Sequence, residues 1–466
     1  VGRQYTPSAV APCGPATATP APTATFTATP IPTAAPYTRT VTLQKGTDGY
    51  TGVTDTYIDL FNPKQNFGSN GYLYMRGFNQ ANALIRYDLS SIPQTARVVS
   101  ATLGVYVIPD ERNERRQPFT STVSGWRPFA VAALFALACT LLFLIAGPLL
   151  AALLALVLAA VTLSVFLEMY FRPNLLKAFV RKGRSQNVWA PVAAAEAPRR
   201  RLLLVAHLDT HRTPWAFTSR SRLAFFKALT TLGVVAFVLT AATFFAYAVT
   251  FQEWLRWVAL LFVPVHALVL WLTWQPDTTP YTAGANDNAS GVGVLLSLAR
   301  RLAEAPLRHT EVWLLASGCE EVGSVGAQAF VEAHGEALEG ELGGALGVSI
   351  DNVGGRGAGV CYTSVEGMVF PLRPSPELFG LAEELRVAHP ELNAYPRPYT
   401  TLHTDATCLM ANRVPSLSFV GLTPEGEIPD WHQASDVVER VDAGTVERTE
   451  EFVWRLLQRF DERATP

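Results

Sequence analysis

Charge is scarce in this chain. Asp, Glu, Lys and Arg make up only 16% of its 466 residues and nearly cancel, leaving −2 at pH 7. No basic face dominates, which argues against nucleic acid as a main partner. Cysteine is scarce too, and none of the five (Cys13, Cys139, Cys319, Cys361, Cys408) stands in a C-x-x-C pair. That argues against a zinc–thiolate site and a disulfide framework, while leaving a single Cys319–Cys361 or Cys361–Cys408 bridge open. Neither an initiator Met nor a signal peptide opens the chain, so a sequence that starts inside a longer one is expected. What is abundant is apolar: 49% of the residues are hydrophobic. With so little charge, part of the chain is expected in lipid.

Residues 1–37 form a Thr/Pro/Ala tract, as in Thr17-Ala18-Thr19-Pro20. Such a composition cannot bury a core and is expected to be a disordered linker. Residues 38–110 change to short alternating segments at 57–60, 83–87 and 101–107, which read as strands. Asp55-Thr56-Tyr57, Asn66-Phe67-Gly68-Ser69 and Leu84-Ile85-Arg86-Tyr87-Asp88-Leu89-Ser90-Ser91-Ile92-Pro93 resemble the first half of the DNRLRE-type β-sandwich modules of secreted surface proteins. Half a sandwich leaves a sheet face and edges open. The expectation is a small all-β fragment that is completed elsewhere or joined to an unrelated body.

Two long apolar stretches follow. Residues 128–167 carry no charge, and the stretch 128–171 is long enough for two membrane spans with Gly147-Pro148 at the turn. Residues 228–275 form a second pair, split by Glu253 and Arg256, with Trp254, Trp257, Trp271 and Trp274 near its ends as at a membrane interface. Four spans in two hairpins are expected, each hairpin returning the chain to the side it left. The flanks are basic (Arg112, Arg115, Arg116, Arg127; Arg172, Lys177, Arg181, Lys182, Arg184; Arg220, Arg222, Lys227). Positive charge beside spans favours the cytoplasm, whereas the Thr/Pro tract and the sandwich resemblance favour the outside. The flanking charges act on the spans directly, so the cytoplasmic side is preferred, in a bacterial plasma membrane.

The remainder, 172–219 and 276–466, alternates strand and helix. Strands are expected at 202–206, 311–316, 345–350 and 416–422, and helices at 292–304, 325–332, 376–387 and 445–460. In the last, Val446, Phe452, Val453, Leu456, Leu457 and Phe460 fall on one stripe. This pattern predicts an α/β fold: a mixed, largely parallel sheet sandwiched by helices.

Metal-ligand residue types sit at the ends of these elements. His207 and Asp209 follow the first strand and Glu320 and Glu321 the second. Asp351 follows the third, His432 lies on a loop after the last, and Asp287 occupies a small-residue turn before a helix. Functional groups in open α/β sheets collect beyond the carboxyl ends of the strands. Taken alone, each has an ordinary reading as a turn acid, a solvated glutamate pair or a packed histidine. Five segments in order, all at element ends, fit that reading poorly. Nitrogen and carboxylate donors without thiolate suit zinc.

Residues 185–460, interrupted by the second hairpin, resemble the co-catalytic zinc aminopeptidases grouped with aminopeptidase Y and bacterial leucyl aminopeptidases. The resemblance is carried by Ser185-Gln186-Asn187-Val188, Ala206-His207-Leu208-Asp209-Thr210, Gly284-Ala285-Asn286-Asp287-Asn288-Ala289-Ser290-Gly291, Cys319-Glu320-Glu321-Val322-Gly323-Ser324, Ile350-Asp351-Asn352-Val353-Gly354 and Trp431-His432-Gln433. It implies the zinc-exopeptidase fold and two Zn2+ per chain. Asp287 would bridge the ions, with His207 and Asp351 on one and Glu321 and His432 on the other. Glu320 would be the general base for a metal-activated water, and Asp209 would orient His207. The implied reaction removes the amino-terminal residue from a peptide with a free amino end. Segments 362–372 and 397–402 are expected to wall the substrate pocket. Where the family carries Ser-Asp-His, this chain has Thr404-Asp405-Ala406 with His403 displaced, and the family's early helix is missing. Competing expectations are a non-catalytic receptor or scaffold on the same fold, a single-zinc glutaminyl cyclase, and a surface adhesin acting through the amino-terminal module.

Overall fold

The structure, a computed structural model, describes residues 115–464 except 370, and ahead of them only four strands. Those strands belong to a separate unit, Val1–Tyr106. They are β1 (Gly2–Arg3), β2 (Val53–Asp59), β3 (Ala81–Tyr87) and β4 (Leu103–Gly104), with β1 antiparallel to β4 and β2 antiparallel to β3. The alternating segments at 57–60 and 83–87 fall on β2 and β3. β4 falls in the expected segment 101–107 and β1 within the expected linker; the remaining residues of the linker and sandwich fragment lie outside the described residues.

The second unit, Val107–Pro466, is built on one eight-stranded sheet. Its strands are β5 (Arg115–Thr122), β6 (Lys182–Val192), β7 (Arg200–His207), β8 (Thr310–Ser317), β9 (Leu346–Asp351), β10 (Val360–Glu366), β11 (Ala394–Tyr399) and β12 (Ser416–Val420), in the order β11-β10-β12-β9-β7-β8-β6-β5. The central run β12-β9-β7-β8 is parallel, as is β10 with β11, whereas β10/β12, β8/β6 and β6/β5 are antiparallel. β7 shows why the centre is parallel. Its Leu202, Leu204 and Ala206 enter one core and Leu203 and Val205 the other, so the strand is apolar on both faces and needs helices on both. β5 sits ahead of the first apolar hairpin, so the sheet reaches beyond the 172–219 and 276–466 segments expected to build it. With Pro118 and few buried residues it is an edge strand, a place where a missing N–H is tolerated.

Between β5 and β6 the chain makes α1 (Arg127–Phe143) and α2 (Pro148–Met169); between β7 and β8 it makes α3 (Arg220–Thr250), α4 (Trp254–Leu260) and α5 (Val263–Trp274). Inside this bundle, small residues (Ala132, Ala136, Ala151, Ala155) let the helices approach, and Phe143 stacks on Phe244 at 4.2 Å. Its outer surface is apolar as well: Leu141, Ile145, Leu149, Leu156, Phe245 and Val249 are exposed, as a lipid-facing bundle requires. Three helices, Pro148–Met169, Arg220–Thr250 and the continuous segment Trp254–Thr278, are long and apolar enough to cross a membrane. The fourth apolar helix, α1, is shorter. It has 17 residues, about 26 Å of helix, at the lower end of the roughly 17–25 residues that cross a hydrocarbon core. The Arg256 guanidinium donates to the carbonyls of Phe143 (2.6 Å) and Ala146 (2.9 Å), at and just past the end of α1. These are the features of a membrane-associated protein.

One face of the sheet is covered by α6 (Gly291–Glu304), α8 (Pro376–Ala388) and α10 (Ala443–Glu462), the other by α7 (Val325–Glu339) and α9 (Asp405–Ala411). The α10 stripe is buried as its periodicity predicts, with Phe452, Val453, Leu456, Leu457 and Phe460 in the larger core and Val446 at its margin. Cys139, Cys319, Cys361 and Cys408 are all free thiols, so neither open bridge exists.

Candidate metal centre

Three neighbouring parallel strands deliver side chains to the same sheet edge. β7 ends on His207, β9 ends on Asp351, and β8 is followed, after Gly318 and Cys319, by Glu320 and Glu321. β7 and β8 pair in continuous register from Arg200↔Thr310 to His207↔Ser317, so their carboxyl ends are level.

Asp287 arrives separately, on the turn that leads into α6. Gly284 there has φ +69°, a conformation that favours glycine. At Gly291 a Cβ would stand 2.3 Å from both Asn288 Oδ1 and the Ile350 carbonyl, so no side chain fits. The space is taken by hydrogen bonds that fix the turn. Asn288 Nδ2 donates to the Ile350 carbonyl (2.9 Å), and Asn288 Oδ1 accepts from Gly291 N (3.0 Å) and Asn352 N (3.2 Å). The Asp436 carboxylate accepts from the backbone N–H groups of Asn286 (2.6 Å) and Asp287 (3.2 Å). The Asp287–Asn288 peptide is cis.

The Asp287 carboxylate stands between two groups of ligand atoms. Its Oδ1 is 3.3 Å from His207 Nε2, which is 3.2 Å from Asp351 Oδ1. Its Oδ2 is 3.2 Å from His432 Nε2, which is 3.3 Å from Glu321 Oε2. Within His207, Asp287 and Asp351, and again within His211, Glu321 and His432, the ligand atoms all lie within 4.8 Å of one another. Asp209 lies beside His207 and the glutamate pair. The His207 Nδ1 partner is the Asp209 backbone carbonyl at 3.1 Å, with the carboxylate 3.8 Å away. That carboxylate accepts from Glu320 N (3.0 Å) and Glu321 N (3.1 Å), so it braces the glutamate pair. Glu320 is buried and belongs to neither group, with Ser324 Oγ 3.3 Å and His403 Nδ1 3.6 Å from its Oε1.

So many acids in a buried space are poorly compensated by protein alone. Burial pushes the Glu320 and Glu321 carboxyls well above the usual carboxylate range, and pushes Asp405 and Asp436 up to about 6. Burial would depress the imidazolium forms of His207 and His432, but facing carboxylates outweigh it. Asp351 leads at His207, holding it well above its ordinary value, and Glu321 leads at His432, raising it to about 9. Asp287 Oδ2, Glu321 Oε1 and His432 Nδ1 are buried without a hydrogen-bond partner among the described residues. Orphaned oxygens amid all-nitrogen-and-oxygen donors fit divalent cations of the zinc type.

Sequence reasoning missed residues around this core. His211 stacks on His432 with ring centroids 3.8 Å apart. Its Nδ1–H donates to the Arg212 carbonyl (2.8 Å), and its Nε2 accepts from the Trp126 indole (3.0 Å). A second histidine four residues after His207 was the available signal. Asp436, four residues beyond His432, offered less. Truncating it should loosen the Asp287 turn without touching a ligand. Asp436→Ala is expected to weaken metal binding about 10–100-fold, the usual cost of losing a partner that orients a ligand, measured by chelator competition. The segments expected to wall the substrate pocket do border the cavity at this centre, through Gly367, Met368 and Leu372 and through Tyr399 and Leu402. Asp405 accepts from Ser317 Oγ at 2.5 Å, and Thr404 caps α9.

Residues 275–457 match peptidase family M28, a range that contains Asp287, Glu320, Glu321, Asp351 and His432. Aminopeptidase YwaD of Bacillus subtilis (strain 168) is 37% identical over 67 residues, 14% of this chain and 14% of its own length. Among solved structures, the aminopeptidase from Aneurinibacillus sp. strain AM-1 matches with TM-score 0.37 and 17% identity, over 60% of this chain and 48% of that one. BSAP, a zinc aminopeptidase from Bacillus subtilis, matches with TM-score 0.38 and 16% identity, over 60% and 52%. A glutaminyl cyclase from Porphyromonas gingivalis matches with TM-score 0.37 and 17% identity, over 59% and 77%. The chain thus spans about half the length of the two aminopeptidase structures. The family match and the identity to YwaD support the peptidase resemblance carried by the motifs.

Proposed function

We propose that this chain is a membrane-anchored di-zinc aminopeptidase that hydrolyses the amino-terminal peptide bond, with Glu320 as general base. It builds on the similarity of residues 275–457 to peptidase family M28. The observation that carries it is the Asp287 carboxylate, with one oxygen 3.3 Å from His207 Nε2 and the other 3.2 Å from His432 Nε2. One carboxylate facing two imidazoles, each with its own further acid, is the arrangement a bridging ligand needs.

His207, Asp287 and Asp351 would hold one ion, and Asp287, Glu321 and His432 the other. Zinc held there would supply Lewis acidity toward the scissile carbonyl and would lower the pKa of a water. The chain does the rest. Glu320 takes the proton from the water and returns it to the leaving amine. Asp209 holds the backbone of Glu320 and Glu321 so that the two neighbours can divide those tasks. The catalytic side is proposed to face the cytoplasm, because Arg172, Lys177, Arg181, Lys182, Arg184, Arg220 and Arg222 flank the spans there.

The test is metal content and aminoacyl-anilide hydrolysis on detergent-solubilised protein. Two zinc ions per chain with turnover is the expected result. One ion with release of pyroglutamyl product identifies a cyclase, and two ions without turnover on any aminoacyl substrate identify a receptor-like protein.

A further inference from the structure

The cavity at the metal centre, about 190 Å³, does not stop at the sheet. It continues between the apolar helices, and its two ends differ in chemistry. At one end stand Asp287, Glu320, Glu321, Asp351 and His432. At the other, α3 contributes Phe226, Leu229, Thr230, Gly233, Val234 and Phe237, a single stripe at i, i+3, i+4, i+7, i+8 and i+11. Eleven residues of helix extend about 16 Å, and the stretch beyond Lys227 lies within the segment that is long and apolar enough to cross a membrane. Val269, Leu272 and Thr273 of α5 face it.

What could lie there is limited by hydrogen bonding. Thr230 Oγ1 donates to the Phe226 carbonyl (2.9 Å) and Thr273 Oγ1 to the Val269 carbonyl (2.7 Å). Glu168, where α2 meets the cavity, is engaged by Asn174 and by Lys177 at 3.2 Å. The hydroxyl protons of Thr230 and Thr273 are therefore committed to their own helix, and neither is left to donate to a ligand carbonyl. An extended peptide running up this groove would strand carbonyl groups, at a cost of several kcal/mol each in a dry, apolar setting. An alkyl chain carries no such groups.

We propose that the substrate is an amphiphile: an aminoacyl amide whose polar head lies at the metal centre and whose long alkyl chain lies along α3. This rests on the aminopeptidase assignment and adds a substrate class to it. The bond broken is still the amide C–N; water supplies hydroxyl to the carbonyl carbon and a proton to the leaving nitrogen.

The protein in phospholipid nanodiscs is assayed with two series, leucyl n-alkylamides of increasing leaving-group length and anilides of 2-aminoalkanoic acids of increasing side-chain length. In one series kcat/KM should rise at least about tenfold from shortest to longest, since each methylene held in an apolar pocket contributes. Val234→Trp should abolish that rise. Val238→Trp, on the outward side of the same helix at 46% exposed, should keep it. In parallel, a long-chain alkylamine ending in a diazirine is photolysed on the wild-type protein. Label should fall on Phe226, Val234 or Phe237 and be protected by a long-chain leucyl alkylamide. Flat rates in both series with normal hydrolysis of leucyl anilide would overturn the alkyl-chain proposal and leave the aminopeptidase standing. Protected label without hydrolysis of any substrate would uphold the groove and defeat the aminopeptidase. Label confined to outward residues would overturn the groove whatever the activity.

Discussion

Glu320→Gln is expected to lower kcat by about 10²–10⁴-fold, the usual contribution of a positioned general base, while both metal ions stay bound. Glu320 is 6% exposed and is a member of neither ligand group. The amide that replaces it has the same shape, can keep Ser324 Oγ as a neighbour at 3.3 Å, and leaves the Asp209 bonds to the backbone intact because they use main-chain N–H groups. What it cannot do is accept and return a proton. Glu321→Gln makes the contrast. Glu321 Oε2 lies 3.3 Å from His432 Nε2, so that change should cost metal as well as turnover. Metal content by elemental analysis beside kcat for the two variants separates the roles. Near-normal turnover in Glu320→Gln, or loss of an ion from it, would remove Glu320 from the proton-transfer role.

The central strands could be read from sequence because parallel strands buried on both faces are nearly continuous apolar runs, as in Leu202-Leu203-Leu204-Val205. α6 and α10 were legible for the complementary reason, a single buried stripe on an otherwise polar helix. The edges were not. β5 reads Arg-Arg-Gln-Pro-Phe-Thr-Ser-Thr, and its place is set by pairing with β6 rather than by its own burial. β11 is likewise at an edge and carries two prolines, so tertiary pairing overrides local preference there.

The ligand-type residues were legible because each stands at the end of an apolar strand or in a turn of small residues, and the structure gathers His207, Asp287, Glu321, Asp351 and His432 in one place. Their supports were hidden. Asp436 reaches Asn286 and Asp287 across about 150 residues of sequence, and nothing local distinguishes it from a surface acid. The coupling of α1 to the centre was equally invisible. It depends on Trp126 bonding His211 across 85 residues, and on Ser124 donating to Asp277 Oδ1 at 2.8 Å across 153. The apolar cavity beside the ligands was hidden too, because it belongs to helices whose sequence signals only that they are greasy.

The largest loss is expected from Asp287→Asn. The residue is 2% exposed, and its two oxygens face opposite imidazoles. An amide can offer one oxygen to one ion, but its NH2 then points at the other, where it has no lone pair to give and adds positive rather than negative potential. Both ligand groups also lose the charge they share. Metal content should fall from two ions per chain to below one, and hydrolysis should disappear with it. A second readout does not need activity. Zinc that binds the folded chain raises its unfolding free energy by about 2.7 kcal/mol at a hundredfold excess over Kd, so wild-type protein should show a zinc-dependent rise in Tm that Asp287→Asn lacks. The turn itself should survive, because Asp436 and Asn288 hold it through main-chain groups and the Asn288 amide. Full occupancy of two ions in Asp287→Asn, with the zinc-dependent Tm shift preserved, would mean that the ions do not share this carboxylate.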